Sequence, residues 1–273
     1  MKSIASTVCT AACAAALALA SGCTTTTPAD AGAHVAPAAP PKTALWVGNS
    51  FFYYNNSMHG HVGRLLSAAR PHEKYRNTSA TISGSGINWH DLESLFKPNG
   101  VGSYSFDGHN NVVFNTFDKP FDVVIIMDCS QCPIHPELSK LFVETTAKDS
   151  EIARRHGAEP IFFMSWAYAD RPEMTEQLAA AYLKAAADNH AKVIPAGLAF
   201  ARSQALHPEV NLIVADKRHP TLAGTYLAAC TVLATVYGVS PVGNTYTAGL
   251  PADVAAHLQA TAWETVQSFK QPV

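Results

Sequence analysis

The sequence predicts an α/β protein in which a parallel sheet of about five strands lies between two layers of helices. Three observations support this prediction. From Thr43 onward, short apolar runs alternate with longer segments of helical periodicity. Two of the runs, residues 121–127 and 160–165, are almost entirely apolar, as strands covered on both faces must be. A strict alternation of strand and helix implies right-handed crossovers, which make neighbouring strands parallel.

The predicted strands are short apolar runs that end near glycine, serine or polar residues. They are residues 44–47, 79–82, 121–127, 160–165 and 192–197. Residues 97–119 interrupt the alternation, because this stretch is rich in glycine and asparagine and has only scattered aromatic residues. We expect a long loop or a small hairpin there, over one end of the sheet.

The predicted helices have apolar residues repeated at helical spacing. They cover residues 58–69, 138–152, 172–185, 221–238 and 252–269. Gly157 and Gly238 are the expected stops of the second and fourth. Asp170 lies in capping range of the third, which Pro172 opens. The fourth is nearly all apolar, so we expect it to be buried.

The amino terminus has the features of an export signal. Lys2 is followed by an apolar stretch and then by small residues, and residues 1–22 are too short to span a membrane. The run LASGC resembles a bacterial lipobox, in which Cys23 would be acylated. Residues 23–42 are rich in Thr, Ala and Pro and predict a tether without folded structure. Residues 43–273 then form the folded domain, and we expect a cell-envelope lipoprotein on the periplasmic face of a bacterial membrane.

The charge of the chain argues against nucleic acid as a partner. The formal net charge is −2 at pH 7, and the Lys and Arg residues are scattered rather than gathered into a basic stripe.

Three cysteines remain in the folded part: Cys129, Cys132 and Cys230. An exported compartment permits disulfides. The CSQC spacing resembles a redox pair, and His135 three residues later makes a crude metal pattern. A structural zinc site needs a fourth ligand, and a thioredoxin-type pair should follow a very early strand. We therefore expect a loop disulfide or two free thiols and no bound metal, with an envelope redox protein as a lesser alternative.

Candidate functional residues follow four of the predicted strands. Ser50 lies just past the first strand in LWVGNSFFYYNN, and Gly84 and Gly86 lie past the second. Residues 128–132 follow the third and residues 165–170 the fourth. Since ligands collect beyond the carboxyl ends of parallel strands, we expect these loops to meet at one edge.

A serine hydroxyl becomes a nucleophile only when a base accepts its proton and a third group orients that base. Asp216 and His219 are three residues apart in VADKRHPTLAG, and Pro220 favours an extended or turn conformation at His219. That conformation would let the imidazole point into the site. The simpler alternatives are that Ser50 is a turn or cap residue and that Asp216 and His219 only cap the next helix.

The blocks GNSF, SGSG and D-x-x-H-P, in this order, resemble the SGNH or GDSL-like hydrolase family. The likeness is greater to a bacterial branch whose first block reads Gly-Asn-Ser. It implies a flavodoxin-like three-layer α/β/α fold and ester hydrolysis without a cofactor. Carried over by residue, it makes Ser50 the nucleophile, His219 the general base and then acid, and Asp216 the group that orients His219.

The resemblance also implies an oxyanion hole. Its donors would be the N–H groups of Ser50 and of Gly86, or of Gly84 if the loop is shifted. The family's third donor is usually an asparagine after the third strand, where this chain reads MDCSQC, so Ser130 or Gln131 would replace it. Asn49 and His90 are further candidates for the substrate pocket, and a structural hydrogen bond is the alternative for His90. Residues 51–54, all aromatic, would form either part of the core or a platform for a sugar or acyl group.

The resulting expectation is an exported serine esterase acting on small acyl esters, with acetyl groups on a polysaccharide as one candidate target. The alternative is a non-catalytic glycan-binding envelope lipoprotein with the same fold. The two histidines of MHGH, His59 and His61, diverge on a helix, so we expect surface positions for both rather than a metal site.

Overall fold

The computed structural model describes residues 39–97, 100–101, 104–115, 117 and 119–272. The predicted signal peptide, Cys23 and most of the tether lie outside the described residues, so their assignment stays a prediction. Residues 39–273 form one compact unit. Within the described part of the chain, no helix has both the length and the apolar character needed to cross a bilayer.

Strands of the described residues form two sheets. They are β1 (Thr43–Gly48), β2 (Arg76–Thr81), β3 (Tyr104–Phe106), β4 (Val112–Phe114), β5 (Val123–Ile126), β6 (Glu159–Phe163) and β7 (Lys192–Ile194). The main sheet is fully parallel and has the order β2-β1-β5-β6-β7. The predicted fold class is therefore confirmed. The stretch predicted as a loop or hairpin contains the antiparallel pair β3–β4.

Helices connect the strands of the main sheet and cover both of its faces. They are α1 (Ser50–Tyr53), α2 (Met58–Ala69), α3 (Leu92–Phe96), α4 (Ser139–Arg155), α5 (Met174–Asp188), α6 (Ala196–Leu206), α7 (Leu222–Tyr237) and α8 (Ala252–Ser268). Each of the five predicted helices has a counterpart among them. Helices α1, α3 and α6 were not predicted.

The two helical layers follow from the alternation of side chains along the strands. Trp46 of β1 belongs to one apolar cluster, which it shares with residues of α2, α6, α7 and α8. Leu45 and Val47 belong to a second cluster on the opposite face, with residues of α3, α4 and α5. We call these the α7 face and the α4 face of the sheet.

Helix α7 is buried along nearly its whole length, as its composition predicts. Thr221 caps its start, because its Oγ1 accepts a hydrogen bond from the N–H of Gly224 at 3.2 Å. Gly224 also permits a close approach, since a Cβ there would lie 2.3 Å from the carbonyl oxygen of Leu212. The helix ends at Gly238, whose φ of 62° is in the left-handed region.

Three local expectations are wrong. The strand predicted over residues 192–197 ends at Ile194, because Pro195 is the N-cap of α6 and cannot donate to a sheet. Helix α5 begins at Met174 without a side-chain cap, and Asp170 binds Lys217 Nζ instead. His61 is buried rather than exposed, with its ring nitrogens 2.7 Å from Tyr246 Oη and from the carbonyl oxygen of Asn55.

Candidate active site

Ser50 lies at the carboxyl edge of the main sheet, where the chain turns from β1 into α1. Asn49 caps this short helix, because its Oδ1 accepts a hydrogen bond from the N–H of Phe51 at 3.2 Å. The cap places Ser50 in the first helical position, where 8% of the residue is exposed. Its Oγ lies 2.8 Å from Nε2 of His219, although the two residues are 169 positions apart.

His219 is held in turn by Asp216. Oδ2 of Asp216 lies 2.5 Å from Nδ1 of His219, and Oδ1 accepts hydrogen bonds from the N–H groups of Arg218 and His219, both at 2.9 Å. Partial burial opposes ionisation of Asp216, but the hydrogen bonds from His219 and Arg218 outweigh it and lower the pKa to about 2. The ionised carboxylate favours a proton on Nδ1, which leaves Nε2 able to accept the proton of Ser50.

The loop that carries His219 is closed by its own backbone. The N–H of Val214 donates to the carbonyl oxygen of His219 at 2.9 Å, and Ile213 forms a bridge with Pro220. Lys217 adopts φ of 68° at the tip, a left-handed conformation that is costly for a non-glycine residue. This closure fixes the direction in which the imidazole points.

Two neighbouring segments support the same loop. Trp166, in the loop after β6, donates from Nε1 to the carbonyl oxygen of Arg218 at 2.9 Å. Asn55, after α1, donates from Nδ2 to the carbonyl oxygen of Pro220 at 3.0 Å and to Thr225 Oγ1 at 2.8 Å. His219 is therefore positioned by the segment after α1, which begins at Ser50, and by the loop after β6.

The four aromatic residues after Ser50 divide between the core and the site. Phe51 and Phe52 are buried, and the ring of Phe51 stacks on Trp166 with centroids 4.7 Å apart. Tyr53 is partly exposed, and Tyr54 stacks on the imidazole of His219 with centroids 4.3 Å apart and planes 10° apart. The first two residues of the segment are thus part of the core, and Tyr54 packs against the imidazole of His219; a platform for a sugar or acyl group stays a prediction.

A polar clasp joins the loops after β1, β2 and β5. Nδ2 of Asn49 donates to the carbonyl oxygens of Ser85, at 3.0 Å, and of Asp128, at 3.2 Å. Oδ1 of Asp128 accepts from the N–H groups of Ile87, at 2.9 Å, and Cys129, at 2.7 Å. Asn49, expected as a substrate contact, has its amide engaged in this clasp, so its role here is to position the loops.

Asp128 is the functional-site residue that sequence reasoning missed. Burial raises its pKa to about 6, even though the N–H groups of Ile87 and Cys129 favour the ionised form. The signal for it was an acidic residue directly after a wholly buried strand.

A cavity of about 240 Å³ opens in front of Ser50. It is lined by Asn49, Ser50, Phe51, Gly84, Cys129, Ser130, Gln131, Tyr168, Arg218 and His219. We call it the serine cavity. Ser130 and Gln131 thus lie where the sequence placed candidate donors, and Ser130 Oγ is 2.6 Å from Tyr168 Oη.

The two candidate glycines differ in position. Gly84 lines the serine cavity and has φ of 71°. Gly86 lines only a second cavity, which is next to the serine cavity. No hydrogen bond among the described residues uses the N–H of Ser50 or of Gly84, so both are free to donate to a ligand. Of the two glycine positions considered, this favours Gly84.

His90, expected as a possible pocket residue, is instead a buried structural group. Its Nε2 lies 3.1 Å from Ser85 Oγ, and it is not among the residues that line the serine cavity. Burial lowers its pKa, against a hydrogen bond to the backbone of Gly48. A family-like position in the sequence was not enough to place this side chain in the cavity.

Cys129 and Cys132 form a disulfide, and Cys230 is a buried free thiol. Asp128, Cys129 and Cys132 have potential ligand atoms within 4.8 Å of one another. Metal ligation by cysteine needs a thiolate, and a disulfide sulfur is not one. The three residues therefore do not fit a metal while the bond is intact.

Comparison with known proteins finds solved structures that have a similar fold. No protein-family model matches this chain, and no curated protein matches it by sequence. A DUF4886 family protein from Bacteroides uniformis aligns with TM-score 0.58 and 16% identity, over 83% of this chain and 95% of that one.

Two further solved structures are similar to the chain. A candidate SGNH hydrolase from Slackia heliotrinireducens has TM-score 0.51 and 23% identity, over 71% of this chain and 97% of its own. A substituted form of Axe2, an acetyl xylan esterase from Geobacillus stearothermophilus, has TM-score 0.52 and 16% identity, over 72% and 95%. At these identities the likeness concerns the fold: this chain has a three-layer α/β/α architecture that it shares with SGNH-type hydrolases.

Proposed function

We propose that this protein is a serine ester hydrolase that works through an acyl-enzyme. The observation that carries the proposal is the continuous hydrogen-bonded series from Ser50 Oγ to His219 to Asp216, at 2.8 and 2.5 Å. Nucleophile, base and orienting group each have the partner that this chemistry requires.

In the first half of the reaction, Ser50 Oγ attacks the ester carbonyl carbon while His219 Nε2 takes the hydroxyl proton. The protonated His219 then delivers that proton to the leaving alcohol as the ester bond breaks. In the second half, His219 removes a proton from the water that attacks the acyl-enzyme, and it returns that proton to Ser50 Oγ as the bond to the acyl group breaks and the acid leaves. Water is the only co-reactant needed, so the reaction requires no metal or organic cofactor.

The carbonyl oxygen becomes negatively charged in both tetrahedral intermediates. The N–H groups of Ser50 and Gly84 are the proposed donors to it, since both line the serine cavity with unused hydrogens. Ser130 is a third donor candidate, because its hydroxyl can accept from Tyr168 and donate to the oxyanion. Gln131, which lines the same cavity, is the other candidate.

For the substrate we propose an acyl ester, with acetyl groups on a polysaccharide as one candidate. The polar lining of the serine cavity by Gln131, Tyr168 and Arg218 is compatible with a hydroxyl-rich alcohol. The acetyl xylan esterase among the fold relatives has a substrate of this kind. The predicted export signal and lipid anchor at Cys23 would place the enzyme in the cell envelope, where such esters occur.

The test is the hydrolysis of p-nitrophenyl acetate by the purified domain. Ser50→Ala should lower kcat by about 1000-fold or more, because the nucleophile is lost. Ser67→Ala, at an exposed position of α2, is the control and should keep the wild-type rate. If Ser50→Ala retained the wild-type rate, the proposal would be wrong. An inactive wild-type protein would favour the glycan-binding alternative.

A further inference from the structure

A second cavity adjoins the serine cavity. Its volume is about 290 Å³, and it is lined by Gly84, Gly86, Ile87, Asn88, Trp89, Asp128, Cys129, Cys132, Leu138 and Leu141. The two cavities share Gly84 and Cys129 in their linings, so they lie next to each other.

The second cavity lies on the other side of the sheet edge from His219. Ile87 belongs to the apolar cluster of the α4 face, and Leu138 and Leu141 lie at the beginning of α4. His219 precedes α7, and its ring contacts Phe51, which belongs to the cluster of the α7 face. Ser50 thus stands between a base on one side and the second cavity on the other.

This arrangement places the alcohol and the acyl group of an ester on different sides of Ser50. The leaving alcohol must lie beside His219 Nε2, because it receives its proton there. The acyl substituent occupies another corner of the tetrahedral intermediate. The route past Gly84 and Cys129, away from His219, leads it into the second cavity.

The linings of the two cavities agree with this division. Besides the indole N–H of Trp89, the second cavity has polar side chains only at Asn88 and Asp128, and Oδ1 of Asp128 already accepts two backbone N–H groups. Trp89 is 61% exposed although it lines the cavity, so a large apolar surface is available there to a ligand. A sugar would need several hydrogen-bonding partners in this cavity, whereas a hydrocarbon chain needs none.

We propose that the second cavity binds the acyl chain of the substrate, and that the enzyme prefers esters of linear apolar acids longer than acetate. This inference rests on the proposed esterase function, and it replaces acetate by a longer acid as the preferred acyl group. Each buried CH₂ corresponds to about a fourfold gain in kcat/KM. The preference for hexanoate over acetate should therefore be at least about tenfold, even if the chain is only partly buried.

The experiment compares kcat/KM for p-nitrophenyl acetate, butyrate and hexanoate. Leu141→Trp fills the cavity, and the ratio of hexanoate to acetate should fall by about tenfold or more. Leu138→Trp is a second filling variant in case the first does not fold. Both positions are partly exposed, so the larger ring can be accommodated. Val143→Trp, on the same helix but outside both cavities, should leave the ratio unchanged.

The outcomes separate this inference from the esterase proposal. If the wild-type protein hydrolyses acetate as well as hexanoate, or if both filling variants keep the wild-type ratio, the acyl assignment is overturned while the esterase stands. If Ser50→Ala hydrolyses the esters at the wild-type rate, or if the wild-type protein hydrolyses none of them, the proposed function fails and the acyl assignment with it.

Discussion

The carboxylate of Asp216 has two tasks in the candidate site. One oxygen closes the loop through the N–H groups of Arg218 and His219, and the other orients the imidazole. Its pKa of about 2 lies below the ordinary value of 3.8, so the stability that these bonds provide is present above about pH 4 and is lost as the pH falls towards 2. The carboxylate is therefore ionised throughout the pH range of an esterase assay.

Replacing Asp216 by Asn should impair catalysis more than folding. The amide can present its NH₂ group to Nδ1, which favours the tautomer with a proton on Nε2 and prevents that nitrogen from accepting the proton of Ser50. We expect kcat to fall by about 100- to 10,000-fold, with a smaller change in KM. Steady-state kinetics with p-nitrophenyl acetate will measure both.

Asp170→Asn is the matched control for that experiment. Asp170 is an exposed acid on the neighbouring loop, and its ion pair with Lys217 is solvent-screened. The control should keep the wild-type kcat. Equal losses in the two variants would mean that loop charge, and not the orientation of His219, determines the rate.

Among the elements, the loop after β5 connects the two cavities. The disulfide between Cys129 and Cys132 closes this loop, and Cys129 lines both the serine cavity and the second cavity. The backbone N–H of Cys129 is also tied to Asp128. The bond thus stabilises a segment that contacts both parts of the proposed substrate.

Removing the disulfide should lower stability modestly, because the ring that it closes is short. The chain-entropy relation gives about 2 kcal/mol for such a ring. The double variant Cys129→Ser/Cys132→Ser should therefore melt about 4–8 °C below the oxidised wild-type protein in a calorimetric scan. Added dithiothreitol should lower the melting temperature of the wild-type protein alone.

A double variant that melts like the oxidised wild-type protein would contradict this prediction. The same variant also tests the redox alternative. Ester hydrolysis that persists without the two sulfurs would exclude electron transfer through this pair as the basis of that activity.

At the scale of the molecule, the described residues form an apolar cluster on each face of the sheet, and they also include buried acids. Asp149 of α4 is 1% exposed, and its Oδ2 has no hydrogen-bond partner in the described part of the chain. Burial raises its pKa to about 7, and the charge of Asp91 adds to the effect while Lys148 opposes it. An unpaired buried carboxyl of this kind makes folding depend on pH.

We predict that the contribution of Asp149 to stability falls as the pH rises from about 4 to about 7. Buried histidines with a lowered pKa, such as His90, act in the opposite direction, so the comparison is between the wild-type protein and a variant at Asp149. The folded state keeps the proton of Asp149 to a higher pH than the unfolded chain, so ionisation favours unfolding. Asp149→Asn should remove this part of the slope and raise the free energy of unfolding at pH 8 by about 2–4 kcal/mol. Urea unfolding at pH 4.5 and pH 8 will measure it.

The control is Glu144→Gln, which removes an exposed acid from the same helix. It should leave the pH slope unchanged. Some slope should persist in Asp149→Asn, because the pKa of Asp128 is also raised, to about 6. An Asp149→Asn variant that keeps the wild-type difference in stability between pH 4.5 and pH 8 would contradict the assignment.

The sequence by itself determined the fold class. The local spacing of apolar residues is enough to predict buried strands and helices, because side chains repeat every two residues in a strand and every 3.6 in a helix. Residues 121–127 and 221–238 are examples. Asp216 and His219 were also readable, since three residues separate them and Pro220 restricts the turn. The end of the last strand was harder to predict, because a proline such as Pro195 can lie at the end of a strand or at the beginning of a helix.

Only the tertiary structure decided which distant groups meet. The strand order sets Ser50 between the loops after β2 and β5, and the loop before α7 then brings His219 to 2.8 Å from its hydroxyl. The same packing keeps His90 out of the serine cavity, ties the amide of Asn49 into the clasp and brings Asp128 into it. No spacing along the chain encodes these contacts, because they depend on which strands pair and on which face each connecting helix packs.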